Sequence, residues 1–343
     1  MDLSTTYMGF ALPHPLLPGS SPLTDDLDMV RRLEDAGAPL FILRSMFEEQ
    51  LVYDQVALNW AMEHADYSTY EAGTFLPSPA EFHWGPETYL EHLREIKAAV
   101  NVPVIASLNG RTTGGWVKYA ALLQQAGADG LELNVYDLAL STHRSAAEVE
   151  RDSLEVIQAV RQSVSIPLAV KLSPFYTAPV HFARRLCAAG IRTLVIFNRF
   201  YQPDLDLENL QPKSILHCST PEELLLRLRW AAAMYGQIDG ELAITGGVHS
   251  GLDAVKCVMV GATAIQMVSA LLKFGPEHLA VVRRDLAQWM ETHEYASLQQ
   301  MRGSMSLTHT ADPELYERGN YVQVLQLGVA QLTTEFFVGA AHA

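Results

Sequence analysis

The stretch VKYAALLQQAGADGLELNVY, residues 117–136, decides the fold. Its first half places apolar residues at helical spacing and ends in Gly127, a residue suited to the left-handed turn that caps helices. Its second half contains a short run, residues 130–135, that is apolar along most of its length, as in a strand buried on both faces. A helix that leads directly into such a strand predicts one unit of an α/β fold with parallel strands.

The same unit recurs along the chain. Helices are predicted at residues 27–37, 89–101, 117–127, 146–165, 180–190, 221–236 and 252–261. Strands are predicted at residues 14–21, 39–45, 102–110, 129–136, 166–174, 192–199, 241–247 and 263–269. Eight strands that alternate with helices over roughly 270 residues predict an α/β fold of the (β/α)8 TIM-barrel type. A doubly wound open sheet is the alternative, and it is less favoured because no GxGxxG follows the first strand.

Two connections are long for this fold. They run from Phe47 to Pro86 and from Phe200 to Pro221, and both fall on the C-terminal face, where long loops usually shape an active site. The chain after residue 300 no longer follows the helix–strand pattern. We therefore expect a barrel domain at residues 1–300 and a C-terminal extension at residues 301–343, packed on or beside the barrel.

Composition narrows the classes of partner. The chain is 49% apolar and 18% charged, with a formal net charge of −15. An acidic surface repels phosphate backbones, so we expect no nucleic acid and no anionic membrane as partner. No apolar run approaches the ~20 residues that span a bilayer. The three cysteines show no metal-binding or redox spacing, which suits a cytoplasmic protein without a bound metal.

The ends of the last two strands predict a phosphate site. Gly246-Gly247 follows the seventh strand and would let backbone N–H groups approach an anion closely. Val268-Ser269 follows the eighth strand and opens the next helix in the same way. TIM barrels commonly hold a phosphate group at these two strand ends. The alternative is that the glycines only permit a tight turn.

Polar residues also stand at the ends of apolar strands. Lys171 lies inside LAVKLSP, where a buried charge needs a partner. That partner could be Glu132 in a structural ion pair, or Lys171 could be a Schiff-base amine or a cation beside an electron-rich cofactor ring. Three asparagines at neighbouring strand ends predict a hydrogen-bonding floor for a planar ligand. They are Asn109, Asn134 and Asn198.

The chain resembles the dihydroorotate dehydrogenase family, whose members are FMN-dependent TIM barrels. The likeness runs from about residue 8 to residue 275 and rests on the order and spacing of five segments. They are HPLLPGSSPL (14–23), VPVIASLNG (102–110), GADGLELNVY (127–136), IPLAVKLSP (166–174) and TGGVHSGLDAVKCVMVGATAIQMVSALL (245–272). The resemblance implies FMN as the cofactor and a small-molecule substrate, and it implies a homodimer because members of this family are often dimeric.

The resemblance also implies residue roles. Residues expected to bind FMN are Gly19, Ser20, Arg44, Ser45, Asn109, Asn134, Lys171, Asn198, Gly246, Gly247, Val268 and Ser269. Among these, Lys171 would lie near the pyrimidine edge of the flavin, where a cation stabilises the anionic reduced ring. Asn198 would face both flavin and substrate. Residues expected to take part in catalysis are Asp137, Lys171, Asn134 and Asn198.

The chain departs from the family pattern on the substrate side. The family has N-x-S-C-P-N or N-x-S-S-P-N after the fourth strand, and its Cys or Ser is the base; here the run is NVYDLA, residues 134–139, which places Asp137 at the base position. Tyr136, Ser141 and His143 are alternatives on the same loop. GTFLPSPAEFHWGP, residues 73–86, stands in the region of the family's N-S-M-G-L-P-N loop, and Arg199 replaces a small hydroxyl residue.

These observations predict an FMN-dependent oxidoreductase that acts on CH–CH groups, with hydride passing to flavin N5 and a loop base taking a proton. The altered substrate residues leave open whether the substrate is dihydroorotate. Two alternatives are an FMN-binding subunit without dihydroorotate turnover and a Schiff-base lyase or isomerase on a phosphorylated substrate. The chain has no iron–sulfur cysteine motif, so the electron acceptor stays open between fumarate, a nicotinamide and a partner protein.

Overall fold

The computed structural model describes residues 1–48, 86–110, 112–199 and 202–326. The described chain opens with a short antiparallel hairpin, β1 (Thr5–Tyr7) and β2 (Phe10–Leu12), which the sequence did not predict. Eight parallel strands follow and form the main sheet. They are β3 (Leu16–Pro18), β4 (Phe41–Phe47), β5 (Val104–Asn109), β6 (Gly130–Val135), β7 (Leu168–Leu172), β8 (Thr193–Ile196), β11 (Glu241–Thr245) and β12 (Ala264–Met267).

These eight strands form a nearly closed barrel. Their hydrogen-bonded order is β3-β12-β11-β8-β7-β6-β5-β4. The two strands at the ends of this order, β3 and β4, lie beside each other, and at their C-terminal ends Ser20 Oγ is 3.3 Å from Ser45 Oγ. The predicted α/β TIM-barrel fold is therefore confirmed, and the open doubly wound sheet is excluded.

Helices alternate with the barrel strands, as predicted. They are α1 (Leu27–Asp35), α2 (Pro86–Ala99), α3 (Thr113–Gln125), α4 (Ala146–Ser163), α5 (Pro179–Ala188), α6 (Leu224–Met234), α7 (Gly251–Met259), α8 (Ser269–Phe274), α9 (His278–Thr292) and α10 (Leu298–Met301). Several helices are followed within two residues by a glycine with a positive φ angle, as the sequence predicts for Gly127; four of these glycines lead into barrel strands. The four are Gly37, Gly127, Gly190 and Gly261.

The barrel interior is apolar at its N-terminal end and polar above. Alternate residues of each strand point inward, because side chains two apart share a face. The lower inward residues belong to one buried cluster that includes Leu17, Ile105 and Ala243. Tyr7 of the hairpin is fully buried in this cluster, and the Met8 N–H donates to Glu241 at the start of β11 over 2.6 Å. The hairpin therefore closes the N-terminal end of the barrel.

The connections after the barrel strands are only partly described. Most of the long connection from Phe47 to Pro86 lies outside the described residues. It includes residues 73–85 of the segment that stands in the region of the family's substrate loop. The second long connection contains an exposed hairpin of β9 (Asp204–Asp206) and β10 (Gln211–Lys213). None of the described helices is both long enough and apolar enough to cross a bilayer.

The chain after α10 packs on the barrel helices. The Gly303 N–H donates to Val258 O of α7 over 3.1 Å, and the Leu307 N–H donates to Ala232 O of α6 over 3.0 Å. Residues 319–326 are helical. The division into a barrel at 1–300 and an extension at 301–343 stays a prediction.

Candidate active site

A cavity of about 370 Å3 opens at the C-terminal ends of the barrel strands. Its volume falls within the range of roughly 300–1,000 Å3 that is usual for small-molecule sites. Ten of the twelve residues predicted to bind the cofactor line it. They are Ser20, Arg44, Ser45, Asn134, Lys171, Asn198, Gly246, Gly247, Val268 and Ser269. Strand ends from nearly the whole barrel therefore converge on one space, as parallel strands require.

The floor of the cavity is a buried ion pair. Lys171 Nζ lies 3.2 Å from Glu132 Oε1 and donates to Gln266 Oε1 over 3.3 Å. Glu132 is fully buried and also accepts from Gln266 Nε2 and from the Tyr7 hydroxyl. The predicted ion pair of Lys171 with Glu132 is therefore confirmed, and Lys171 also lines the cavity, while its role toward a ligand stays a prediction. Burial, with Glu132 close by, raises the pKa of Tyr7 well above its ordinary value, so its hydroxyl stays protonated as a donor.

A network of small polar side chains lies beside this floor. The Asn134 amide donates to Ser107 Oγ over 2.7 Å and to Ser45 Oγ over 2.9 Å, and the two hydroxyls are 2.7 Å apart. These residues face inward because β5 and β6 pair in register and present alternate residues to the interior. The network fixes the Asn134 amide, whose carbonyl oxygen is left to accept from a ligand.

The opposite side of the cavity is suited to an anion. Gly246 and Gly247 have φ angles of +90° and +84°, a region that glycine occupies without strain. The Gly247 N–H donates to Ser219 Oγ over 3.2 Å. Ser219 in turn donates to Ser269 Oγ through both its N–H (2.8 Å) and its hydroxyl (2.9 Å). Because Ser269 Oγ accepts twice, its own proton is left to donate to a ligand.

Sequence reasoning missed two residues of this anion-binding side. Ser219 lies in the connection before α6, where no periodic pattern marks it. Arg227 lies on α6 and lines the cavity although its residue is only 6% exposed. A signal for Arg227 existed, because it shares the buried face of α6 with Leu224 and Ala231. An arginine on an apolar stripe needs a partner for its charge. Cys218 is exposed and also lines the cavity.

Three predicted site residues do not line this cavity. Gly19 lies just behind its wall, where the Gly19 N–H donates to Met267 O over 3.0 Å and a Cβ would come within 2.9 Å of Val268. Asn109 and Asp137 line a neighbouring cavity of about 790 Å3, and Phe47 lines both cavities. Asn109 donates to the Tyr136 hydroxyl over 3.1 Å.

Asp137 is held by neighbours in its own loop. One carboxylate oxygen lies 2.6 Å from Arg144 Nη1, and the other accepts from the Ala139 N–H over 2.8 Å. Arg144 also pairs with Asp152 at 3.0 Å. The Asp137 carboxylate raises the pKa of Arg144 above its ordinary value. Ser141 and His143, the alternative bases, are exposed on the same loop. The role of Asp137 as base stays a prediction.

Fold and site together define a TIM barrel whose strand-end cavity combines a buried cation with an anion-binding rim. The family model described as dihydroorotate dehydrogenase matches residues 83–290, more than half of the chain. The chain belongs to the dihydroorotate dehydrogenase family. It is accordingly a flavin-dependent oxidoreductase of the type that acts on CH–CH groups.

Curated relatives agree with this membership. The "Dihydroorotate dehydrogenase B (NAD(+)), catalytic subunit" of Geobacter sp. (strain M21) is 28% identical over 236 residues, covering 65% of this chain and 74% of the relative. The protein of the same name from Thermoplasma volcanium is 23% identical, covering 88% of this chain and 98% of the relative. The chloroplastic "Dihydropyrimidine dehydrogenase (NADP(+))" of Arabidopsis thaliana is 21% identical, covering 92% of this chain and 80% of the relative.

Proposed function

We propose that the chain binds FMN in the strand-end cavity and catalyses hydrogen transfer at a CH–CH bond of a small cyclic substrate. The observation that carries this proposal is the pairing, in one cavity, of the Lys171 ammonium at the floor with the anion-binding turn at Gly246 and Gly247. FMN has a ring system and a phosphate group that would use these two features respectively. When bound, the flavin supplies the acceptor for a hydride from the substrate.

The residues at the rim would bind the phosphate. The Gly246 N–H and the Ser269 hydroxyl would donate to it, and hydrogen bonds from such donors to a charged phosphate are stronger than those between neutral groups. The Gly247 N–H donates to Ser219 Oγ and so helps to hold the Ser219–Ser269 hydroxyl pair in place. The glycines are needed here because a Cβ on Gly247 would stand 2.6 Å from the Leu224 nitrogen. The close approach of α6 to this turn therefore fixes which backbone groups face the cavity.

The residues at the floor would orient the ring. Lys171 is held by Glu132 and Gln266, so its ammonium presents a fixed positive charge to the cavity. Such a preorganised charge stabilises negative charge that develops on a ligand without any reorganisation during the reaction. Asn134 and Asn198 add amide groups, and the Asn198 backbone is fixed by its N–H bond to Leu172 O at 2.7 Å.

The same geometry disfavours Schiff-base chemistry. A Schiff-base lysine must lose its proton to become a nucleophile. Lys171 Nζ lies 3.2 Å from Glu132 Oε1 and donates to Gln266 Oε1 over 3.3 Å, so bonding this nitrogen to a carbonyl carbon would disturb both contacts. The oxidoreductase proposal therefore accounts for Lys171 better than a lyase or isomerase does.

The first test is the identity of the bound group. We expect the purified chain to be yellow and to release one FMN per chain on denaturation, identified by chromatography against FMN, FAD and riboflavin. A colourless chain that cannot be reconstituted with FMN would refute the proposal.

The second test is turnover. Candidate substrates, dihydroorotate first, are added under anaerobic conditions while bleaching of the flavin absorbance is followed. We expect one class of substrate to bleach the flavin, and Asp137→Asn to slow the bleaching about 10²–10⁴-fold if Asp137 is the base. Equal rates in the two proteins would remove Asp137 from that role. Flavin that no CH–CH substrate bleaches would support an FMN-binding subunit without turnover.

A further inference from the structure

Arg227 is the least exposed arginine that lines the strand-end cavity. Its residue is 6% exposed, and its guanidinium lies against the Gly246 turn, so that a Cβ on Gly246 would come within 3.0 Å of Nη2. It reaches this place from α6, on the opposite side of the turn from the barrel interior. The ion pair of Lys171 at the floor of the cavity does not explain why a second positive charge is buried beside the Gly246 turn.

The hydrogen bonds of Arg227 fix the turn and leave one nitrogen for a ligand. Nε donates to Thr245 O over 2.9 Å, which anchors the residue directly before Gly246. Nη1 donates to Glu223 O over 2.6 Å. Within residues 1–48, 86–110, 112–199 and 202–326, Nη2 makes no hydrogen bond, and its nearest carboxylate oxygen, on Glu223, is 3.9 Å away. A guanidinium group has five N–H donors, so the N–H groups of Nη2 remain available to a ligand.

Two guanidinium groups meet at this side of the cavity. The Glu223 carboxylate is 3.9 Å from Arg227 and 3.5 Å from Arg199. Both arginines line the cavity. Burial lowers the pKa of Arg227 below its ordinary value, which reflects the cost of keeping this charge away from water. A dianion next to the Gly246 turn would be attracted by this buried guanidinium.

We propose that Arg227 is a positioning residue that fixes the Gly246–Gly247 turn and gives the site its preference for a phosphorylated flavin over riboflavin. This inference rests on the proposed function, since it assumes that a flavin occupies the cavity. The rim would thus combine backbone and hydroxyl donors to the phosphate with a guanidinium that sets the position of the turn and offers Nη2 as a further donor.

The test compares two ligands that differ only in the phosphate. Dissociation constants of FMN and riboflavin are measured by flavin fluorescence titration of the flavin-free chain. For Arg227→Gln we expect FMN binding to weaken about 10- to 100-fold, the range for a lost hydrogen bond to a charged group. Riboflavin binding should stay unchanged. Arg229→Gln is the matched control, because Arg229 lies on the same helix, is exposed and lines a separate surface groove.

Two further variants guard against a folding artefact. Arg227→Lys keeps the positive charge but lacks the planar, forked set of N–H donors of a guanidinium, so it should give an intermediate preference for FMN. Glu223→Gln keeps the hydrogen-bonding shape but removes the shared carboxylate, so it should strengthen FMN binding severalfold and leave riboflavin binding unchanged. Glu223 is 34% exposed in its side chain, so this variant should fold normally.

The outcomes separate the two proposals. If the natural chain binds neither flavin, the proposed function fails. If it prefers FMN and neither Arg227→Gln nor Glu223→Gln changes that preference, only the role of Arg227 is overturned. An equal loss of FMN and riboflavin binding in Arg227→Gln would also overturn it, because a purely structural role moves both.

Discussion

Strand β6 and the loop after it carry two acidic residues that end in opposite settings. Glu132 is fully buried and pairs with Lys171 at the floor of the cavity. Asp137, in the loop, pairs with Arg144 at a rim where the two side chains are 32% and 35% exposed. The strand dictates where Glu132 points, because its register with β5 and β7 leaves one inward direction. The loop imposes no such direction, and Asp137 finds a local partner.

This comparison separates the site residues that the barrel strands position from those that the loops position. The side of the cavity proposed to hold the cofactor is built from strand ends and from α6, and its charges are desolvated and mutually dependent. The side proposed to hold the substrate is built from loops, and its charges are partly hydrated. Substitutions on the first side should therefore lower the free energy of unfolding or the FMN affinity much more than substitutions on the second side.

The largest expected effect is that of Lys171→Met. It leaves the Glu132 carboxylate buried without its cation, and breaking a buried pair in this way costs about 3–5 kcal/mol. Chemical denaturation of the flavin-free chain measures the free energy of unfolding without a contribution from ligand. A loss below about 1 kcal/mol, the value for exposed pairs, would contradict the comparison.

The double variant Lys171→Met/Glu132→Gln sharpens this result. Removing the second charge should recover a large part of the lost stability, because no unpaired carboxylate is left in the interior. If the stability losses of the two single variants simply add in the double variant, the ion pair does not explain the effect, and the loss comes from altered packing around Lys171.

An intermediate effect is expected from Gly247→Ala. The new Cβ would meet the Leu224 nitrogen at 2.6 Å and would also strain a φ of +84°, so the turn must move. We expect FMN affinity to fall about 10- to 100-fold, equivalent to roughly 1.5–3 kcal/mol for a lost hydrogen bond to phosphate. Equilibrium titration with FMN measures the change.

Gly190→Ala is the matched control for Gly247→Ala. Gly190 has a similar φ of +92°, but a Cβ there meets no atom within 4 Å. It should cost about 1 kcal/mol of stability from backbone strain alone and leave FMN affinity unchanged. Equal losses of FMN affinity in the two variants would mean that strain, and not the shape of the turn, governs binding.

The smallest effect is expected from Asp137→Asn. An ion pair exposed to this degree contributes about 0–1 kcal/mol, so the free energy of unfolding should barely change. FMN affinity should change by no more than about twofold, because Asp137 shares no hydrogen-bond partner with the cavity residues within the part of the chain that the structure describes. A tenfold loss of FMN binding would show that the loop after β6 closes over the cofactor and would end the distinction between the two sides.

Sequence reasoning reached the barrel and most of the cofactor side for a physical reason. Buried parallel strands appear in the sequence as short apolar runs, and in a barrel their C-terminal ends lie on one face. The sequence alone therefore predicts that residues at those ends, such as Asn134, Lys171 and Gly246, lie close together. The ion pair of Lys171 with Glu132 is one of the alternatives that the sequence leaves open, because a buried lone charge needs a partner.

The remaining site features depend on tertiary contacts that no local pattern encodes. The loop after β6 has no periodicity, and a turn at Ala139 with a φ of +44° helps to bring its backbone N–H to Asp137. Ser219 reaches Ser269 across 50 residues of chain. The hairpin that places Tyr7 under Glu132 is too short to show a strand pattern, and its strands contain only three residues each.

The measurement that tests the central claim most directly is the FMN content of the natural chain, Asp137→Asn and Gly247→Ala after reconstitution and gel filtration in parallel. If the strand ends of β11 and β12 hold FMN, the natural chain and Asp137→Asn retain one FMN per chain, whereas Gly247→Ala loses most of it. Retention of FMN by Gly247→Ala together with its loss from Asp137→Asn would place the cofactor at the loop after β6 and contradict the account.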